Sequence, residues 1–254
     1  MGNDEVKELF SLSESAVRRR GWFMAESPNV IRIALNAGAK PVAVLCEKGT
    51  NAEILDYIDG KYPGVGIAAC SEKEVATLRG YAISRGIMCL MRQPEPENPD
   101  TILKGARRIC VIYDVCDAVN IGIIFRTAAA LGYDGVLLSK GSCHPLNRRS
   151  MRTSMGTIFQ IPWAMADDVF ARLRQYGFTT VATALNHNSI SLADFEVEDE
   201  KRYALIFGSE GYGLPNEMIA SCDFTVNIPM KAGVDSLNVG AAAAIILWHF
   251  RQIS

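Results

Sequence analysis

Short apolar strands alternate with helical segments through the second half of the chain, and this alternation constrains the fold more than any other feature. The predicted strands cover residues 108–115, 135–139, 179–185, 204–208 and 224–230. The predicted helices cover residues 121–131, 167–176 and 238–252. Apolar strands separated by helices are typical of a parallel sheet that is covered on both faces. We therefore predict an α/β fold with a mainly parallel sheet.

A stretch rich in proline and acidic residues, Arg92–Thr101, divides the chain of 254 residues. This composition predicts a linker without regular structure. The residues before it carry weaker signals, with a helix expected over 6–19 and strands over 41–46 and 64–70. The predicted organisation is listed in chain order: a small α/β domain over 1–91, a linker over 92–104 and a second domain over 105–254.

The charges of the chain nearly cancel, because 26 Lys and Arg face 28 Asp and Glu, for a formal net charge of −2. This balance argues against a polybasic protein but not against nucleic-acid binding, which needs only a local basic face. The most apolar run, Val239–Trp248, is too short to cross a bilayer, and the first residues lack the layout of a secretion signal. We expect a cytoplasmic protein with no membrane contact.

Cysteine and histidine are arranged without a metal-binding pattern. The seven cysteines are scattered with no C-x-x-C pair, and the three histidines form no H-E-x-x-H. This usage predicts free thiols in a reducing compartment and no metal site.

Two polar or glycine-rich segments follow predicted strands, where ligands bind in parallel α/β sheets. Asp117–Ala128 contains Asn120 at a strand-to-helix turn and Arg126 within the following helix. Ile206–Met218 contains Glu210 among glycines. Taken singly, these residues have ordinary explanations as a helix cap, a solvated charge and a tight turn.

A third segment of this kind, Ile228–Ala244, precedes the last predicted helix. Ser236 or Asn238 is expected to cap that helix. The small residues of Gly240–Ala244 allow a very close neighbour, either another helix or backbone.

Two enzyme classes are disfavoured by the same segments. The spacing of Gly208, Gly211 and Gly213 reverses the dinucleotide fingerprint and follows a late strand, which argues against an NAD-dependent enzyme. Neither Ser154 nor Ser209 lies in a G-x-S-x-G motif, which argues against a serine hydrolase.

The three segments contain, in chain order, the motifs N-x-G-x-x-x-R-T-A, F-G-x-E-G-x-G-L and N-I-P-M…S-L-N-V. Together these motifs resemble the three motifs of the SpoU/TrmH family of SPOUT RNA methyltransferases. The resemblance covers Ile109–Phe250. It implies methylation of a ribose 2′-hydroxyl of ribosomal or transfer RNA with S-adenosylmethionine as methyl donor. It also implies a trefoil knot in the C-terminal domain and a homodimer joined through that domain. It does not indicate which RNA or which nucleotide is the target.

The resemblance also implies roles for individual residues. The expected catalytic residues are Asn120, Arg126, Glu210, Ser236 and Asn238. The expected cofactor-binding residues are Gly208, Ile228, Met230 and Leu237. The family role of Arg126 is often described as general base, but a guanidinium stays protonated, so anchoring a phosphate and stabilising alkoxide charge is the preferred role. Glu210 is expected to orient Arg126 or its partners.

Two positions depart from the family pattern. Ser209 stands where the family most often carries asparagine, and Ala118 stands where it commonly carries proline. Neither change removes one of the expected catalytic residues.

A basic segment within the second domain predicts where RNA binds. Gly135–Ala166 contains no acid, and its cations are Lys140, Arg148, Arg149 and Arg152. A second acid-free group consists of Lys104, Arg107 and Arg108. The first domain is similar to the small ribosomal-protein-like domain that binds substrate RNA in many family members, and its basic cluster is Arg18–Arg20.

One alternative function stays open from the sequence. A non-catalytic RNA-binding or ribosome-assembly protein could retain the SPOUT fold. The presence of Arg126, Glu210 and Asn238 favours the enzyme.

Overall fold

The computed structural model describes residues 1–79, 84–186, 188–234 and 236–251. The chain divides into two units, each with its own β-sheet. Unit 1 consists of Met1–Glu95 with Leu146–Phe159, and unit 2 consists of Pro96–Pro145 with Gln160–Ser254. Neither unit is one continuous segment.

The helices in chain order are α1 (Asn3–Ser11), α2 (Glu14–Arg19), α3 (Pro28–Asn36), α4 (Ala52–Lys61), α5 (Glu72–Arg79), α6 (Pro99–Gly105), α7 (Ala118–Ala130), α8 (Arg148–Ser154), α9 (Val169–Gln175), α10 (Asn216–Ala220) and α11 (Val239–His249). The strands are β1 (Trp22–Glu26), β2 (Lys40–Glu47), β3 (Gly66–Cys70), β4 (Ile87–Arg92), β5 (Arg108–Ile112), β6 (Gly135–Ser139), β7 (Trp163–Ala166), β8 (Thr179–Thr183), β9 (Ile190–Ser191), β10 (Tyr203–Phe207) and β11 (Phe224–Asn227).

Unit 1 contains a mixed sheet in the order β1-β4-β2-β3, in which only β2 and β3 pair in parallel. The apolar side chains of α1 and α2 bury one face of this sheet in a core that includes Phe10, Val17, Leu45 and Met88. The strands β1 and β4 were not predicted from the sequence. Their short apolar runs do not show the alternation that marks a strand with one exposed face.

The helix expected over 6–19 is wrong in its length, because α1 ends at Ser11 and α2 begins at Glu14. Ser13 caps the second helix, since its hydroxyl accepts a hydrogen bond of 3.2 Å from the backbone N–H of Ala16. A serine that satisfies a free N–H group in this way starts a new helix rather than continuing the old one.

The expected linker is also corrected. Residues 93–98 have no regular structure, but α6 begins at Pro99 inside the segment expected to be irregular. Proline suits the first position of a helix, and the side chain of Asn98 accepts a hydrogen bond of 2.9 Å from Asp100 N. One of the three prolines that suggest a linker, Pro99, therefore begins a helix.

The segment Leu146–Phe159 follows the first half of unit 2 in sequence but belongs to unit 1. Its helix α8 packs against β1, and the ring of Phe159 lies 5.4 Å from that of Phe23. The sequence prediction placed this segment in the second domain, because composition alone does not reveal a contact with a distant strand.

Unit 2 confirms the predicted parallel sheet. Its seven strands lie in the order β7-β6-β5-β10-β8-β11-β9, and every neighbouring pair is parallel. The central strands are buried along their whole length, as expected for a sheet with helices on both faces. Because β10, β8 and β11 are adjacent, the loops that follow them meet at one edge of the sheet.

Helix α11 packs closely against α7, as the small residues predicted. A Cβ atom added to Gly240 would lie 3.0 Å from Cγ2 of Ile123. Glycine at this position therefore lets the two helices approach at the start of α11.

All seven cysteines are free thiols, and four of them are buried. Burial raises the pKa of Cys222 to about 11 and that of Cys89 and Cys110 further. Within the described residues, no helix has both the length and the apolar character needed to cross a membrane.

Candidate active site

A cavity of about 530 Å³ lies at the carboxyl ends of β8, β10 and β11. The four residues expected to bind a cofactor all line it: Gly208, Ile228, Met230 and Leu237. Three of the expected catalytic residues line it as well: Glu210, Ser236 and Asn238. Loops separated in sequence thus contribute to one cavity, because their strands are neighbours in the sheet.

A chain of side-chain hydrogen bonds connects these loops to α7. Asn238 donates from Nδ2 to Oδ1 of Asn120 at 3.0 Å, and Asn120 donates from Nδ2 to the Glu210 carboxylate. The other end of the chain is the start of α11, where Oδ1 of Asn238 accepts from Gly240 N at 2.9 Å. Asn120 is buried, whereas Glu210 is exposed.

The direction of these hydrogen bonds follows from the helix. Backbone N–H groups only donate, so the Asn238 atom that caps α11 is its carbonyl oxygen, and its NH₂ group faces Asn120. The Asn120 oxygen then accepts, which turns the Asn120 NH₂ group toward Glu210. The carboxylate of Glu210 is thereby held by a series of donors that begins at a helix terminus.

The interpretation of Asn120 as a helix cap is wrong. Asp117 caps α7, because its carboxylate accepts a hydrogen bond of 2.9 Å from Val119 N. Asn120 lies within the first turn of the helix, and its side chain is left to bond with the distant Asn238 and Glu210.

Glycine at position 208 is required by the shape of the loop that carries Glu210. A Cβ atom at Gly208 would lie 2.5 Å from the carbonyl carbon of Gly213, which no side chain tolerates. The loop closes through a hydrogen bond of 2.9 Å from Gly213 N to the carbonyl of Ser209. The base of the loop is therefore fixed, and Glu210 lies on its exposed part.

Arg126 does not lie with the other expected catalytic residues. It is exposed, it does not line the cavity, and its side chain makes no hydrogen bond or ion pair to the described part of the chain. Six helical positions separate it from Asn120, about 9 Å along the axis and about 120° around it. Within one chain, Glu210 bonds with Asn120 and not with Arg126.

Ser236 and several polar residues complete the cavity lining. Ser236 is exposed, and its hydroxyl has no hydrogen-bond partner within the described ranges. Thr183, Asn216 and Asn227 also line the cavity, although none of them was assigned a site role from the sequence. Asn227 is the first residue of the third motif, whereas Thr183 and Asn216 lie outside the motifs.

The four residues expected to bind RNA are divided between the two units. Lys140 lies in unit 2 and forms an ion pair with Asp167. Arg148 lies in unit 1, where it pairs with the buried Glu26 at 2.9 Å. The segment itself contains no acid, but carboxylates from elsewhere in the chain neutralise these two cations.

Arg149 and Arg152 are exposed on α8. Among the described residues, neither forms a salt bridge. These two side chains are the members of the basic segment that remain available to a phosphate.

Arg108 cannot serve as an RNA-facing cation, which corrects the sequence interpretation. Its side chain is buried and donates to the carbonyl oxygens of Phe250 at 2.7 Å and Lys201 at 2.6 Å. Burial lowers the pKa of this guanidinium. Its guanidinium instead donates to a backbone carbonyl at the C-terminal end of α11.

The fold and the cavity together define a class of protein: an α/β protein with a cofactor-sized pocket at the carboxyl ends of a parallel sheet. The SpoU rRNA Methylase family matches residues 107–248. The resemblance noted in the sequence is thereby confirmed, and the chain belongs to the SpoU rRNA Methylase family.

Relatives are similar over nearly the whole chain. An uncharacterised tRNA/rRNA methyltransferase of Mycobacterium tuberculosis is 34% identical over 97% of this chain and 87% of its own length. The 23S rRNA (guanosine(2553)-2′-O)-methyltransferase of Bacillus subtilis is 32% identical over 98% of this chain and 96% of its own length. The similarity therefore includes both units.

A solved structure shares the fold. The AdoMet-bound rRNA methyltransferase from Sinorhizobium meliloti matches with a TM-score of 0.83 and 24% identity, covering 96% of this chain and 92% of that chain.

Proposed function

We propose that this protein is an S-adenosylmethionine-dependent methyltransferase that methylates a ribose 2′-hydroxyl of ribosomal or transfer RNA. The observation that carries the proposal is the hydrogen-bonded series Glu210–Asn120–Asn238 beside a cavity lined by all four expected cofactor residues. The names of relatives such as the Bacillus subtilis rRNA 2′-O-methyltransferase support it.

The cavity has a size and lining that fit the cofactor. Its volume of about 530 Å³ lies within the range of small-molecule sites, about 300–1,000 Å³. Apolar side chains such as Ile228 and Met230 suit an adenine ring, and the carboxylate of Glu210 suits a positively charged group. When bound, S-adenosylmethionine supplies a methyl group already activated by its sulfonium centre.

The residues of the chain then have to align a ribose oxygen and manage its proton. A 2′-hydroxyl is a poor nucleophile at neutral pH until a neighbouring group polarises it. Glu210 accepts the hydrogen bond of this hydroxyl, and Asn120 and Asn238 keep the carboxylate in position. Fixing the geometry of the reacting oxygen in advance lowers the barrier, because the entropy of alignment is lost before the reaction.

Arg126 contributes the positive charge of its guanidinium. It anchors the phosphate next to the target ribose and stabilises the negative charge that develops on the oxygen. Since Arg126 does not line the cavity of its own chain, we propose that it acts on the cavity of a second copy.

A homodimer explains this arrangement. Helix α11 exposes Ala241, Ile245 and Trp248 at spacings of four and three residues, which place them on one face. We propose that these apolar side chains lie in the dimer interface beside the exposed Arg126 of α7.

We also propose that unit 2 contains the trefoil knot of the family and that the protein is located in the cytoplasm.

Unit 1 carries features that support RNA binding by the small domain. The exposed Arg92 and Lys40 are direct neighbours of Trp22 across β1, β4 and β2. Trp22 is half-buried against the core beneath α1 and α2, so the three side chains lie at the edge of that covered face. The guanidinium of Arg20 lies 5.7 Å from the Trp22 ring. Cations interleaved with an aromatic ring are typical of surfaces that bind single-stranded nucleic acid.

The two basic helices of unit 1 are adjacent at their first turns. Glu14 of α2 accepts a hydrogen bond of 2.9 Å from the backbone N–H of Arg148 at the start of α8. Arg149 and Arg152 lie on α8, and Arg18–Arg20 lie at the far end of α2 from this contact. We propose that these cations bind phosphates of the substrate RNA.

The test is transfer of labelled methyl from S-adenosylmethionine to RNA extracted from a strain that lacks the gene. We expect transfer to ribosomal or transfer RNA, and mapping of ribose methylation identifies the nucleotide. Binding of RNA without any transfer would instead support the non-catalytic alternative.

A further inference from the structure

Tyr212 lies at the cavity with its side chain almost entirely in solvent. Its exposure of 98% is higher than that of the other exposed large apolar residues. It follows Glu210 by two positions and lines the same cavity. A tyrosine ring gains free energy when it is buried, so an exposed ring at a cavity mouth is available to a flat partner.

The loop that carries Tyr212 has a fixed base. Gly213 N donates to the carbonyl of Ser209, and Gly208 lies against the backbone of Gly213. Tyr212 and Glu210 therefore project from the same closed turn. Little conformational freedom of the backbone is lost when such a ring meets a partner.

The surroundings of Tyr212 indicate the chemistry of that partner. Leu185 and Leu237 also line the cavity, and they are 63% and 39% exposed. Among the described residues that line the cavity there is no lysine or arginine. An exposed aromatic ring at a cavity that offers aliphatic side chains and no cation suits a nucleobase and not a phosphate.

We propose that Tyr212 is a positioning residue that stacks on the base of the nucleotide whose ribose is methylated. This inference rests on the proposed function. Stacking fixes the base, and the ribose attached to it then lies beside Glu210.

The experiment compares Tyr212→Phe, Tyr212→Leu and Tyr212→Ala. Phenylalanine keeps the ring, leucine keeps only apolar volume, and alanine removes both. Steady-state transfer to the RNA fraction that the wild-type protein methylates gives KM and kcat separately, and calorimetry gives the affinity for S-adenosylmethionine.

We expect Tyr212→Ala and Tyr212→Leu to raise KM for RNA on the order of tenfold, while Tyr212→Phe keeps the wild-type value. The affinity for S-adenosylmethionine stays unchanged in all three variants. Because Tyr212 is exposed, none of the substitutions removes a packing contact of the fold.

Three results would overturn the inference. The KM of the alanine variant could equal that of the wild type, or leucine could replace tyrosine as well as phenylalanine does. The third is a loss of affinity for S-adenosylmethionine with an unchanged KM for RNA, which would show that the Tyr212 ring covers the bound cofactor instead of contacting RNA. If the wild-type protein transfers no methyl to RNA, the proposed function fails instead.

Discussion

Asn238 donates a hydrogen bond of 3.0 Å to Asn120 across 118 residues of sequence. The same asparagine caps α11 with its carbonyl oxygen, so the cap and the candidate catalytic group share one side chain. The position of Glu210 therefore depends on where α11 begins. This dependence makes the roles of the two asparagines separable by substitution.

Aspartate at position 238 is expected to retain the cap and lose the donor. Asn238→Asp keeps an oxygen at the start of α11, where a negative charge is favourable, so stability to urea stays near that of the wild type. Methyl transfer falls because Asn120 loses its partner. Asn238→Ala loses activity and also about 1 kcal/mol of stability. Full activity of Asn238→Asp would show that the hydrogen bond to Asn120 has no role.

Asn120→Asp is expected to abolish most transfer. A carboxylate at this position cannot donate to Glu210 and repels it at hydrogen-bonding distance. We expect a loss of about 100-fold in kcat, in line with loss of a catalytic hydrogen-bond network. Asn188→Asp serves as the matched control, since this exposed asparagine in the same unit lies outside the cavity. Equal activity of the two variants contradicts the mechanism.

Complementation tests whether Arg126 acts on a second copy. Arg126→Ala and Glu210→Ala are each expected to be inactive. Co-expression of the two variants should restore about one quarter of wild-type activity, because half of the dimers are mixed and each has one intact site. Co-expression of Glu210→Ala with Asn120→Asp is the control and should restore nothing. Failure of the first pair, with intact mixed dimers, means that Arg126 serves its own cavity or none.

Charge reversal on α8 is expected to weaken RNA binding in a salt-dependent way. Arg149→Glu with Arg152→Glu removes two cations that the described residues leave unpaired, so the slope of log affinity against log salt should fall by about 2. Lys48→Glu with Lys73→Glu makes the same charge change elsewhere on unit 1. If both double variants change the slope equally, the effect is one of net charge and not of this surface.

Arg108 is expected to matter for stability and not for RNA. Arg108→Ala removes the donor from the buried carbonyl of Phe250 and from the part-buried carbonyl of Lys201, which costs about 3 kcal/mol in total. Urea unfolding measures this loss. The salt dependence of RNA binding should equal that of the wild type, and a reduced slope would show that the guanidinium reaches RNA.

The motifs predicted most of the cavity because each lies next to a strand end. Gly208 and Glu210 follow β10, and Ile228 follows β11, so correct placement of two strands was sufficient to place them. The position of Arg126 relative to the cavity was harder to predict, because the orientation of a residue inside a helix depends on how the helix packs. Periodicity shows that Arg126 is solvent-facing but not which cavity it can reach.

Charge patterns in the sequence were a weaker guide. Lys140, Arg148 and Arg108 stand in segments without acids, yet Asp167, Glu26 and backbone carbonyls bind them in the folded chain. Ion pairs form between residues that are distant in sequence, so the local composition of a segment does not determine its free charge.

The sequence by itself determined the parallel sheet of unit 2, the family and the loops that line the cavity, because these depend on local periodicity and on short motifs at strand ends. The tertiary structure alone decided that α8 joins the first unit, that Asn120 bonds with Glu210 and that Arg108 is buried. Each of these rests on contacts between segments far apart in the chain. Such contacts form only when the whole chain has packed, since the free energy that stabilises them comes from burial and hydrogen bonding shared by many elements.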